Sequence, residues 1–120
     1  MEISFEGIGQ VAATFAAAQT QEKPLAVGHA VALTAAGTVG LGAAGAAPCG
    51  VILSLEEDGR AAVQVDGFAQ VAYSGQTAPA VGWGALGVDG SGGVQAVTTG
   101  GRPCLIVSVD TGAKTAVIKL

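Results

Sequence analysis

The chain has 120 residues, enough for one hydrophobic core and too few for two independent ones. Half of the residues are apolar, which excludes intrinsic disorder, and 20 glycines without a three-residue period exclude collagen. Five basic residues against nine acidic ones leave a net charge of -4, which argues against a nucleic-acid partner, and two cysteines cannot form a disulfide framework.

In chain order, Met1 to Glu6 carries two acids and no base, unlike the start of a secretory signal. A short strand is expected near 3–6 and a longer one over 9–15. Ala12 to Lys23 is Ala-rich with a polar end and also fits a short helix, which Pro24 would stop. Pro24 to Leu55 holds no acid, lysine or arginine, but Gly28, Gly37, Gly40, Gly42, Gly45, Pro48 and Gly50 interrupt it. A membrane-spanning helix wants about 20 large apolar residues in a row, so no membrane span is expected there. Period-two alternation predicts strands over 29–34, 49–55, 61–66, 68–73, 83–88, 104–109 and 115–120, with short ones near 38–41 and 93–97. Asp58-Gly59, Asp89-Gly90 and Asp110-Thr111-Gly112 supply the turns.

The chain repeats itself. Pro48-Cys49 precedes Pro103-Cys104 by 55 residues, Val39 precedes Val94 by 55, and Val63 and Val65 precede Ile118 and Leu120 by 55. Val27-Gly28 precedes Val81-Gly82 by 54, the odd residue falling in the longer turn Asp89 to Gly93. Two Gly/Ala-rich halves share some matches by composition alone, but paired Pro-Cys dipeptides are hard to obtain that way. The expected fold is all-β: a compact antiparallel β-barrel or sandwich with pseudo-twofold internal duplication. Residues 1–120 form a single domain, with about 25–65 and 80–120 as the duplicated units and 1–23 as an N-terminal arm.

The motifs speak for structure more than chemistry. Gly82-Trp83-Gly84-Ala85-Leu86-Gly87 has the spacing of a dinucleotide loop, yet Val88 to Gly93 cannot open the helix such a loop requires. Asp89 to Gly93 offers one carboxylate where a calcium loop brings several oxygen side chains. Glu56-Glu57-Asp58 reads as a solvated hairpin tip. Cys49 and Cys104 are expected to be reduced and buried, and a Cys/His zinc site would lack its fourth ligand with one histidine in the chain. His29 is the one conventional general base, and no nucleophile or carboxylate is placed by sequence to work with it. No catalytic residue, cofactor or metal is therefore expected.

One stretch carries a resemblance. It comprises Val63 to Phe68, Val71 to Gly75, Pro79 to Gly82, Leu86, Asp89 to Val94, and Gly100-Gly101-Arg102 leading to Ile106 to Asp110. This pattern resembles the small capsid decoration, cement or head-fibre proteins of tailed bacteriophages, over about three quarters of the chain. A long fibre shaft has no room here, which leaves the compact decoration form. The resemblance implies a non-enzymatic virion protein, made in the host cytoplasm, that binds the outside of an assembled capsid and stabilises it. It implies the major capsid protein and further copies of the chain as partners, most often as a trimer. Ile3, Phe5, Ile8, Tyr73 and Trp83 are the expected capsid or subunit contacts. The alternative is a small β module binding a ligand or carbohydrate on a virion or cell surface, with Phe68, Tyr73 and Trp83 as its stacking platforms.

Overall fold

The computed structural model describes residues 10–18, 24–75 and 77–120; among these there is no helix. Ten strands follow one another: β1 (Val11–Ala17), β2 (Ala30–Ala35), β3 (Thr38–Gly40), β4 (Gly50–Leu55), β5 (Arg60–Asp66), β6 (Phe68–Ala72), β7 (Gly82–Val88), β8 (Val94–Ala96), β9 (Arg102–Asp110) and β10 (Thr115–Lys119). The protein is all-β. Its first five strands close into a barrel in the order β1-β3-β2-β4-β5, and the other five form a sheet in the order β6-β10-β9-β7-β8.

The two sheets share one strand plan. Three hydrogen-bonded pairings of the first half, β2 with β3, β2 with β4 and β4 with β5, have counterparts in β7 with β8, β7 with β9 and β9 with β10. The outer strands correspond too: β1 lies on β5 as β6 lies on β10. Residues 11–17, placed in an arm by the sequence reading, are thus a strand of the first barrel, and they are not helical. Residues 1–9 and 19–23 of that arm, with the strand expected near 3–6, lie outside the described residues.

Closure brings in a parallel element that simple antiparallel alternation does not anticipate. Five strands of alternating direction cannot close without two neighbours running the same way. In the barrel these are β1 and β3, with Ala17 opposite Val39. In the second sheet one parallel bridge, Tyr73 to Val94, joins the end of β6 to β8.

Burial explains why some runs are apolar on both faces. Val31, Val39, Ile52, Ala61 and Val63 fill the barrel. On the opposite side of β2, Ala30 and Ala32 join Val51 in a larger core with Val71, Tyr73, Leu86, Val88, Val94, Cys104, Ile106 and Ile118. Three consecutive residues of β2 are therefore buried, one inward and two towards the second sheet. Alanine on that outer side allows close approach, since its side chain is a single methyl group. Both cysteines are free thiols; Cys104 sits in this core, whereas Cys49 is half-buried at the entry to β4. The expected burial of both thus fails for Cys49, which precedes β4 and packs only partly against the barrel core.

Candidate interaction surface

The polar side chains of the kinds that serve chemistry are occupied in holding the fold together. Gln64 is 2% exposed. Its Nε2 donates to the carbonyls of Asp66 at 3.1 Å and Phe68 at 3.0 Å, across the crossing from β5 to β6. Its Oε1 accepts from Gln10 Nε2 at 3.3 Å. Gly50 lies against it: a Cβ there would fall on the Gln64 carbonyl. A buried amide with its bonds made costs little, while an unsatisfied one costs about 1–3 kcal/mol.

Arg102 reaches back from β9 to the first half. Its guanidinium donates to the carbonyls of Cys49 at 2.9 Å, Val65 at 3.1 Å and Pro48 at 3.4 Å. Burial raises the pKa of both thiols, opposed by the Arg102 charge, so Cys49 and Cys104 are held as protonated thiols at neutral pH. His29 accepts the Ala26 N–H on Nδ1 at 3.2 Å, which assigns its proton to Nε2. Its ring packs on Gly92, where a Cβ would come within 2.5 Å of it. The next amide, Ala30 N–H, donates to the Gly92 carbonyl at 2.8 Å.

What remains open is the outer face of the second sheet. Register places Trp83 of β7 opposite Leu105 of β9, Leu105 opposite Lys119 of β10, and Lys119 opposite Phe68 of β6. Residues in register share a face, so these four form one row across four strands. Pro103 is exposed and Val107 half-buried on the same side of β9. Trp83 is 74% exposed and Val81, just before β7, is 69% exposed. The charge in this row is paired: Lys119 Nζ lies 3.5 Å from Asp66 Oδ1. The Asp66 carboxylate also accepts the Gly67 N–H at 2.8 Å, and that bond, ahead of the lysine, lowers its pKa. Nothing within the fold requires an exposed tryptophan at this position, and exposed aromatic area marks contact surfaces.

The expected contact residues separate. Trp83 is on the surface. Tyr73 is not: it is 6% exposed, closes the second sheet against Val94, and carries Lys114 Nζ 5.6 Å from its ring centre. A side chain that seals the core cannot also reach a partner. Ile3, Phe5 and Ile8 lie outside the described residues. Pro103, Leu105 and Val107 were not singled out, although their period-two spacing beside Trp83 was a readable signal.

The remaining motifs take structural positions. Asp89 Oδ1 accepts from Ser91 N–H at 2.8 Å and Gly93 N–H at 3.0 Å, so its carboxylate closes the hairpin. Gly82 to Gly87 runs along a strand. Arg60 pairs with Asp58 at 3.3 Å beside the acidic tip. Among the described residues no three His, Cys, Asp or Glu side chains converge as metal ligands. A cleft of about 240 Å³ lies where the halves meet, lined by Gln10, Val27, Leu53, Gln64 and Gln70 among others. Comparison with protein-family models finds no match, and neither does comparison with curated proteins.

Proposed function

We propose that this chain is a non-enzymatic structural protein that binds the outside of an assembled phage capsid as a homo-oligomer and reinforces it. One observation carries the reading: a largely apolar sheet face whose row holds one ion pair, with Trp83 74% exposed at its edge, in a chain whose convergent polar groups are spent on internal bonds. Charged residues are 12% of the chain, well under the roughly 25% of soluble domains, as suits a surface covered by neighbours. The sequence resemblance supplies the capsid as partner and the major capsid protein as its contact. Many weak, identical contacts across capsomer joints add to a large total. The protein would be made in the host cytoplasm and end on the outer capsid surface.

Binding to the assembled shell and not to free capsid subunits stabilises the shell by mass action. Purified heads lacking this protein should therefore co-sediment with it and disrupt at a higher temperature in step with added protein. No co-sedimentation and no thermal shift would remove this reading.

Exposed Trp83, with Pro103 on the neighbouring strand, also favours a second reading as a carbohydrate-binding module, since a flat aromatic ring stacks on a sugar face. A glycan panel titrated against tryptophan fluorescence separates the two.

A further inference from the structure

We infer that the outer edge of β1 is a strand-addition site, and that its occupant is β1 of a second copy, paired antiparallel across a twofold axis. The inference rests on the homo-oligomer part of the reading above and sets the number of copies at two, where the resemblance implies three.

The edge is read from the hydrogen bonds. Ala17 N–H donates to Gly59 O at 2.8 Å, on the β5 side. Ala16 N–H donates to Gly37 O at 2.9 Å and Ala18 N–H to Val39 O at 2.8 Å, on the β3 side. Even-numbered residues of β1 thus turn their amides away from β5. But β3 is three residues long and registers with Ala16 and Ala17 alone. Alongside Ala12 and Thr14 no strand among the described residues lies on that side, so their N–H and C=O groups line an open edge.

The faces are open as well. Val11, Ala12, Ala13 and Thr14 are all exposed, and Val11 retains 52% of its surface. The corresponding strand in the second half is different: Ala69 and Val71 of β6 are buried in the core. Natural edges are guarded by lysine, proline or charges that discourage pairing. Residues 10–18 hold none of these, although the chain carries 14 charged side chains elsewhere. The first four residues of β1, uncharged and exposed, with one edge open among the described residues, are built to be covered by another strand.

A second copy fits best. Two β1 edges brought together antiparallel place Ala12 opposite Thr14 of the other copy, and Thr14 opposite its Ala12, so the outward groups meet as two reciprocally bonded pairs. The alanines and threonine present no bulk to hinder this. The chain is acidic, but of its described acids Glu56, Glu57, Asp58, Asp89 and Asp110 lie at or beside other hairpins, and Asp66 registers with Val11 on the β5 side and pairs with Lys119, so none of these lies on the open edge. Strand pairing alone covers less than the roughly 800 Å² per partner of a stable interface, so a dimer that dissociates on dilution is expected.

Proline tests this cleanly. At Thr14 or Ala12 it removes an amide that the chain's own ladder does not use, so the fold should survive. By analytical ultracentrifugation the wild-type chain should move from monomer to dimer with concentration, and Thr14→Pro and Ala12→Pro should stay monomeric with an unchanged circular dichroism spectrum. In wild type, the Ala12 and Thr14 amides should exchange about tenfold more slowly at concentrations that favour the dimer than on dilution. A trimer, a dimer that persists in both folded proline variants, or amides equally protected in the monomer would overturn the inference. If a variant fails to fold, the exchange measurement on wild type decides alone. Loss of shell binding with the dimer intact would count against the capsid reading and leave this one standing.

Discussion

The guanidinium of Arg102, on the first residue of β9, donates to the carbonyl of Cys49 at 2.9 Å, so a side chain from the second sheet closes the entry to β4 in the first. The same group holds the Val65 carbonyl at 3.1 Å. Its positive charge is satisfied by neutral carbonyls, which is the pattern of a structural clamp and not of an anion site. Hydrogen bonds from a charged donor contribute about 1.5–3 kcal/mol each, less where water competes. Arg102→Ala should destabilise the fold by about 2–3 kcal/mol, and Arg102→Lys should recover little, because one ammonium cannot span three carbonyls in a fork. Denaturant titration measures both.

Gly50 is a sharper test of the junction. The Gln64 backbone occupies the place of its missing side chain. A backbone atom cannot swing aside as a side chain would. Gly50→Ala should therefore cost more than about 3 kcal/mol, or prevent accumulation of folded protein, whereas the same change at Gly84, where a Cβ would meet only Ile106 at an ordinary contact distance, should cost under half that. Thermal melting of the two variants gives the comparison.

Trp83→Ala should separate stability from binding. The side chain is 74% exposed, so its loss should change the unfolding free energy by no more than about 0.5 kcal/mol. Shell binding or glycan binding, whichever the wild-type protein displays, should fall at least tenfold if this face makes the contact. Unchanged binding would assign the contact to another surface.

Acid sensitivity should involve Asp66. Its pKa is lowered by the Gly67 N–H and by Lys119, so the folded state favours the carboxylate. A group with a depressed folded pKa stabilises above its unfolded value, about 3.9, and loses that contribution as pH falls through the lower folded value. Asp66→Asn should flatten the stability profile below about pH 4 and leave it unchanged in shape near neutrality. Urea midpoints collected from pH 2 to 7 measure it.

The two thiols should differ in reactivity. Burial raises the pKa of both above the ordinary thiol value, and Cys49 is half-buried where Cys104 is fully enclosed. Alkylation in native buffer should label Cys49 first and reach Cys104 only on unfolding. Intact mass against time shows the order.

Much of this fold was legible in the residues. Alternation of period two marked the strands from 29 onward, and Asp-Gly turns marked hairpins, because both depend on local backbone preference. The spacing of 55 residues between Val39 and Val94 and between Val63 and Ile118 reappears as matching core positions in the two sheets. Composition and the scarcity of convergent polar side chains already set aside cofactor and metal chemistry as expectations.

Other features were decided only by three-dimensional packing. Ala12 to Ala17 fits a helix or a strand by local preference, and the bond partners in β5 chose the strand. Tyr73 and Trp83 look alike as surface candidates, yet one seals the core and the other projects to solvent, because Tyr73, just past β6, is bridged to Val94 and packs in the core, while Trp83 lies in the outer row of the second sheet. Arg102, Gln64 and His29 could each have served chemistry, and their partners lie 37 to 54 residues away for Arg102 but within four residues for the Gln64 donor bonds and three for His29. Alternation records which side of a strand is apolar; it carries no information about which strand lies beside it. The open edge of β1 follows from that second fact, since among the described residues a short β3 leaves Ala12 and Thr14 with a neighbour on the β5 side alone, whatever their side chains prefer.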